Sequence, residues 1–386
     1  MNYKKFCCAV LLMTAVILAS MEYVLYWVDP LGIWGARIRE GVNQCKVKQS
    51  QLTEIWKPYE CARYSPDIIY IGASKVQIGF EALPEDGKTA YNLAIPGLSL
   101  ADMQEYLRFA YRIHKPEQVY IGLDFISFSR HIYSKEWNKG MSSFSQKRLR
   151  AISMGSVTRH LYAYKDSLPL LPYIPETMRA SRDRRDEGLL HDRGWFREEG
   201  KHEKTPPDVY YEIFNVVNLA DRHFKKFDYA PESMQTLREI LDEAEAEGVE
   251  VVLFFSPLHV DEHTAITITG HGQEWDAIKR EVANMHPVYD FDFLNPLTEQ
   301  IDGNWWDFVH YNGKVGARMK HVMDTGQMDG IAYLLTRENA DRILAEERRA
   351  YDFWQSENKD RVELLRSYVT TERKAVQGDF REYIGF

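Results

Sequence analysis

Three side chains have types and spacing suited to chemistry. Ser74 follows Ile68-Ile69-Tyr70-Ile71-Gly72-Ala73, an apolar run that breaks at small residues. A serine at the carboxyl end of a buried strand sits where parallel sheets place their reactive groups. Far downstream, Asp307 and His310 lie in Trp305-Trp306-Asp307-Phe308-Val309-His310-Tyr311-Asn312-Gly313. That spacing lets a carboxylate hold the imidazole Nδ1 while Nε2 faces the serine. Together they are the parts of nucleophilic acyl transfer: the hydroxyl attacks, the imidazole takes its proton, the carboxylate orients the imidazole. Donors for the oxyanion are the fourth part. Gly97 follows a candidate strand, Asp124 and Ser256 end two others, and all three would meet Ser74 at one sheet edge.

Each residue also has a plainer reading. Ser74 fits a helix N-cap. His310 fits a surface histidine, and Gly97 a turn glycine. Asn92 either lines the pocket or bonds the backbone of a neighbouring loop. His259, just after Ser256-Pro257, is a further pocket candidate. Trp305 and Trp306 are core aromatics or a platform for stacking sugars.

The elements that must position these residues alternate. Strands are expected at 68–71, 89–94, 118–125, 249–257 and 288–291. Helices are expected at 100–113 with Ser99 as N-cap, at 234–246 ended by Gly248, at 274–285, and at 314–323. Strand, turn and helix repeated in this way predict an α/β fold with a mainly parallel sheet. Residues 127–230 depart from the rhythm and read as a helical and loop insertion, a candidate lid. Residues 336–368 are charged and helical in pattern, with an apolar stripe for this domain, a partner or a second copy.

The 386 residues carry a formal net charge of -9 and are 45% apolar, so a sizeable core can form and no nucleic-acid-binding patch is expected. Lys4 and Lys5 precede an apolar run from Phe6 to Val28 that ends in aromatic residues. Its length suits a single membrane span with the N-terminus inside. A cleaved signal peptide is the rival, but no small-x-small site follows the run. The remaining chain would then lie outside the cytoplasmic membrane. In such a compartment Cys45 and Cys61 would form a disulfide, with two thiols as the alternative. His259 and His263 have helical spacing but nothing completes a ligand set, so neither a metal nor a cofactor is expected.

The order Gly72-x-Ser74, Asn92-x-x-x-x-Gly97, Gly122-x-Asp124 and Asp307-x-x-His310 resembles the SGNH (GDSL-like) hydrolase superfamily. The N-terminal span, with Ile-Gly-Ala-Ser, Asn-Leu-Ala-Ile-Pro-Gly, Phe-Ser-Pro-Leu-His and Asp-Phe-Val-His-Tyr-Asn, looks like its membrane-anchored extracytoplasmic branch. That branch includes DltD-type and alginate O-acetylation proteins. The resemblance covers about 67–124 and 249–323. It implies a three-layer αβα sandwich, with Ser74 as nucleophile, His310 as base and Asp307 as its orienter. The N–H groups of Gly97 and Ser74 would form the oxyanion hole. It further implies acyl transfer to or from a cell-envelope or exported polysaccharide, with a polytopic membrane O-acyltransferase as partner. The domains would be an anchor at 1–30, an α/β domain at 31–325 and a tail at 326–386. The chain departs from the pattern twice. Ala73 replaces the usual aspartate, and Asp124 stands where an asparagine amide serves the oxyanion. The second departure keeps two alternatives open, a catalytically degenerate scaffold or binding subunit and a stand-alone periplasmic esterase.

Overall fold

The computed structural model describes residues 3–134, 143–183, 189–198, 209–299, 303–306 and 309–371. The chain divides into two compact units, one of Met1–Ser65 with Ser142–Leu189, the other of Pro66–Met141 with Leu190–Phe386. Residues 31–65, expected to open the α/β domain, thus associate with helices of the insertion. The tail, whose apolar stripe suited this domain, a partner or a second copy, belongs to the second unit.

In the first unit the helix Tyr3–Val28 is long and apolar enough to cross a membrane, and nearly all of it is exposed. The helix Thr53–Tyr64 packs with Ser143–Ser153 and Ser156–Ser167. Asp166 ties this bundle together, accepting from Arg148 Nε at 2.5 Å and from the Tyr59 hydroxyl at 2.8 Å. The expected Cys45–Cys61 disulfide does not form. Cys61 is buried on the inner face of its helix, and burial pushes its thiol up to about 12. Cys45 is held elsewhere, its N–H donating to Ser181 Oγ at 3.1 Å.

The second unit is α/β with a mixed, mainly parallel sheet. Its strands are β1 (Ile68–Ile71), β2 (Ala90–Asn92), β3 (Gln118–Leu123), β6 (Glu250–Phe255), β7 (Val288–Asp290) and β8 (Tyr333–Leu335). β4 (Leu189–Asp192) and β5 (Trp195–Glu198) form a separate hairpin. The six-stranded order is β2-β1-β3-β6-β7-β8, all parallel except β8, which runs antiparallel to β7. β1 is buried at every position, as an unbroken apolar run requires in a parallel sheet. Ile71 pairs with Ile121 and Leu123 with Phe255, so the residues after β1, β3 and β6 leave the sheet at one edge.

Most helices follow their sequence signals. Ser99 caps Leu100–Ile113 by accepting from the Asp102 N–H at 3.2 Å, and Gly248 closes Pro231–Glu247 in a left-handed conformation, φ 68°. Elements not expected include the helix Val260–Ile268 after β6, the edge strand β8 and the β4–β5 hairpin. The tail is two helices, Ala340–Glu357 and Lys359–Thr370, which meet at Asn358. They dock on their own unit. Arg361 holds Asp261 through two bonds of 2.7 and 2.5 Å, and the Tyr351 hydroxyl meets Thr264 Oγ1 at 2.5 Å.

The tightest contact joins the helices Ser74–Gly79 and Gly313–Thr325. A Cβ on Gly316 would stand 1.7 Å from the Gly79 carbonyl oxygen, and one on Gly79 would stand 1.9 Å from the Tyr311 ring. Both are backbone or buried-ring obstacles that cannot swing aside. Gly316→Ala should therefore destabilise the fold by about 3 kcal/mol, the upper range for overpacking. A fall in the midpoint of denaturant unfolding checks it, and an unchanged midpoint would contradict this packing.

Candidate functional site

Ser74 is the first residue of the helix Ser74–Gly79, which starts straight off β1. Gly72 allows that start, because a Cβ there would lie 2.4 Å from Val76 Cγ2. The N-cap position belongs to Ala73, whose backbone is extended and whose side chain caps nothing. Ser74 therefore does not serve as the cap. Its side chain is partly exposed while its neighbours on both sides are buried. Ser74 Oγ lies 2.9 Å from His310 Nε2, a contact between residues 236 apart in sequence. The Ser74 N–H, at the first position of a helix, has no intrahelical acceptor.

His310 rides on a pinched loop. The Asn312 N–H donates to the Asn304 carbonyl at 2.9 Å, the Trp306 N–H donates to the His310 carbonyl at 2.9 Å, and Trp305 pairs with Tyr311 as an antiparallel bridge. The Trp305 indole N–H donates to the Leu297 carbonyl at 2.7 Å, and its ring is buried, so it belongs to the core. Tyr311 is fully buried edge-on to Trp305 and Phe80. These contacts fix the loop that aims Nε2. Asp307, the expected orienter of His310, lies outside the described residues.

The other expected residues divide in role. Gly97 takes a left-handed conformation, φ 68°, in a turn closed by the Leu98 N–H on the Ile95 carbonyl at 3.1 Å. The same turn starts beside the nucleophile, since the Ile95 N–H donates to the Gly72 carbonyl at 3.1 Å. Asn92 does not offer its amide to an oxyanion. That amide donates to the Val76 and Phe80 carbonyls at 2.9 and 2.8 Å, so Asn92 anchors the nucleophile helix. His259 is fully buried, its Nδ1 accepts from the Asp261 N–H at 3.3 Å, and burial lowers its pKa to about 4. It is a neutral packed ring against Trp305, 5.7 Å between centroids.

Asp124 is buried at the end of β3, and its Oδ1 has no hydrogen-bond partner among the described residues. Burial raises its pKa, while Lys75, Ser256 and His310 pull it back down. Ser256 Oγ and the Tyr311 hydroxyl are likewise buried without a partner of good geometry among the described residues. Ser256 is still close enough to lower the pKa of both Asp124 and Tyr311. Three buried polar groups with unspent hydrogen-bonding capacity thus cluster near His310.

Sequence reasoning passed over Lys75 and Glu262. Lys75, next to Ser74, is buried and holds Glu262 Oε1 and Oε2 at 3.0 and 2.9 Å. The only signal for Lys75 was its place in a stretch whose other side chains are apolar or small. Glu262 gave none, because its helix was not foreseen.

No family model matches the chain, and no curated protein is detectably similar to it.

Burial pushes the Glu262 carboxyl up to about 7, against the pull of Lys75. The folded protein therefore binds this proton more tightly than the unfolded chain does. That contribution to stability is complete below the ordinary carboxyl range and is lost as pH rises to about 7. Lys75→Met leaves Glu262 buried without its cation. It should cost about 3–5 kcal/mol at pH values where Glu262 is ionised, and much less in acid, where the carboxyl is neutral. Unfolding midpoints of both proteins on either side of neutrality check this, and an equal loss at every pH would contradict it.

Proposed function

We propose that the protein is a membrane-anchored serine acyl-transfer enzyme of the SGNH type, with the three-layer αβα arrangement that this resemblance implies. The observation that carries the reading is the 2.9 Å contact between Ser74 Oγ and His310 Nε2. The site is assembled from the two ends of the α/β unit, and the serine is not used as a cap.

In this reading the Ser74 hydroxyl attacks an ester carbonyl and passes its proton to His310 Nε2. The carbonyl oxygen becomes an oxyanion and receives the N–H groups of Ser74 and Gly97. The tetrahedral species collapses, the leaving alcohol takes the proton from Nε2, and the acyl group remains on Ser74 as an ester. An acceptor hydroxyl then repeats the sequence in reverse, activated by the same imidazole. The resemblance supplies the setting: an acyl group delivered by a polytopic membrane O-acyltransferase, and a cell-envelope or exported polysaccharide outside the cytoplasmic membrane. The helix Tyr3–Val28 suits a single-pass anchor with the N-terminus inside.

A fluorophosphonate probe tests the nucleophile. It should label the intact protein at Ser74, fail on Ser74→Ala, and react at least about a hundredfold more slowly with His310→Ala. Absence of labelling would sink the enzyme and favour the scaffold reading, for which Asp124 is the specific observation. Turnover of small acetyl esters without any partner would favour the stand-alone esterase.

Asp124 gives a second test. Burial raises its pKa, so its protonated form, a hydrogen-bond donor, persists to higher pH than in an ordinary carboxyl. As pH rises through its elevated pKa it ionises and repels the developing oxyanion. Asp124→Asn should therefore label about as fast as the parent in acid and progressively faster than it toward alkaline pH. A rate ratio that stays flat with pH would remove Asp124 from the reaction.

A further inference from the structure

In the first unit, three large apolar side chains on one helix face stay exposed among the described residues. On the helix Ser156–Ser167, Val157 is 73% exposed and Leu161 62%, and Met154 in the preceding turn is 75% exposed. The spacing of 157, 161 and 164 puts Tyr164 on the same face. The opposite face is anchored inward by the buried Asp166. A stable inner face thus presents a row of large apolar side chains to the outside.

Two contacts fix the height of this face along the apolar helix Tyr3–Val28. His160 meets Glu22 at 2.5 Å, and the Tyr164 hydroxyl donates to the Leu18 carbonyl at 3.4 Å. At about 1.5 Å per residue, Leu18 and Glu22 stand about 18 and 24 Å from Phe6. That is the outer part of a hydrocarbon layer about 30 Å thick. A helix lying against those residues meets the membrane boundary if Tyr3–Val28 crosses it. Aromatic rings mark the same level, with Trp34 edge-on to His160 at 5.2 Å and to Tyr26 at 6.2 Å.

Charge points the same way. From Ser143 to Lys165 the chain has Lys147, Arg148, Arg150, Arg159 and Lys165 and not one acidic residue, in a protein whose net charge is -9. Arg148 is spent on Asp166, whereas Lys147, Arg150 and Lys165 are exposed. An apolar face bordered by exposed cations is the pattern of a helix lying in the interface of an anionic bilayer.

We infer that the Met154–Leu161 face is a second membrane contact, seated in the outer headgroup and upper acyl region of a bilayer with anionic lipid. The inference rests on reading Tyr3–Val28 as the span, and it adds to that reading a surface that limits how the first unit can tilt on its anchor.

The test uses the full chain in nanodiscs of phosphatidylcholine with phosphatidylglycerol. An environment-sensitive fluorophore is attached to a single cysteine at Val157 or at Leu161, with Cys7, Cys8 and Cys45 changed to serine and the buried Cys61 kept. A label at Leu12→Cys reports the span separately. Lipids with a nitroxide near the headgroup should remove most of the emission at 157 and 161, and deep nitroxides should quench the label at 12. Unquenched labels at 157 and 161 beside a quenched label at 12 would overturn the second contact and leave the span standing. An unquenched label at 12 would overturn both. Energy transfer between labelled copies, without lipid quenching, would assign the face to self-association and overturn the proposal. Equal quenching in purely neutral lipid would remove its electrostatic part.

Discussion

The close packing of Tyr311 and Gly316 against Gly79 is the constraint on which the site depends. Ser74 and His310 belong to opposite ends of the α/β unit, and a hydrogen bond between them needs both backbones held to a fraction of an ångström. The bond itself is too weak to hold them there. Steric contact does it: the helix carrying Ser74 and the helix following His310 touch backbone to backbone, with the Tyr311 ring set into the groove that Gly79 leaves. The pinch at Asn304 and Asn312 then leaves His310 few ways to point. Asn92 completes the frame by binding three carbonyls of the nucleophile helix and the turn after it.

Much of this frame was legible in the sequence because it is written in local signals. β1 is a continuous apolar run stopped by small residues, and the structure gives it the expected bounds. Ser99 and Gly248 announced a helix start and a helix end by capping chemistry that does not depend on tertiary context. The site was legible in part, through a serine after a strand and a histidine before a closing helix. What escaped is what long-range packing decides. β8 is a short strand whose only reason to be one is the free edge of β7. The helix Val260–Ile268 has buried Asp261, Glu262 and Thr264, so no amphipathic stripe announces it. The tail reads as one helix because the break at Asn358 costs the pattern nothing, and its docking depends on Arg361 finding Asp261. The Cys45–Cys61 pairing failed for the same kind of reason: compartment permits a disulfide, but only geometry makes one.

The role of Asn92 shows how a motif position can leave its chemistry open, and here the backbone-bonding alternative is the one the fold uses. An asparagine near a nucleophile suggests a donor to substrate. Here the donor is used up on the carbonyls of Val76 and Phe80, while the side-chain oxygen accepts from the Ala94 N–H at 3.1 Å. A residue with this many backbone bonds is a spacer between the β2 turn and the nucleophile helix. Sequence spacing alone does not separate the two uses, because both require the same residue at the same distance from Gly97.

The carboxyl edge of the sheet is also where the unit buries its charges. Lys75 and Glu262 form one pair, and Lys279 lies among Asp290, Asp292 and Glu347 at 2.8, 3.2 and 3.8 Å. Counting Asp124, the acids there outnumber the lysines, and burial makes full ionisation of all of them too costly. The surplus is relieved by protonation. Burial pushes Glu262 up to about 7 and Asp290 to about 6, and it raises Asp124 and Glu347 as well. Asp292 goes the other way despite its burial, because Lys279, His263 and the Trp275 indole N–H stabilise its anion. The electrostatic setting of Ser74 and His310 is therefore fixed less by which charged residues are present than by which acids keep their protons. An acid that keeps its proton is a donor, and one that loses it is an acceptor.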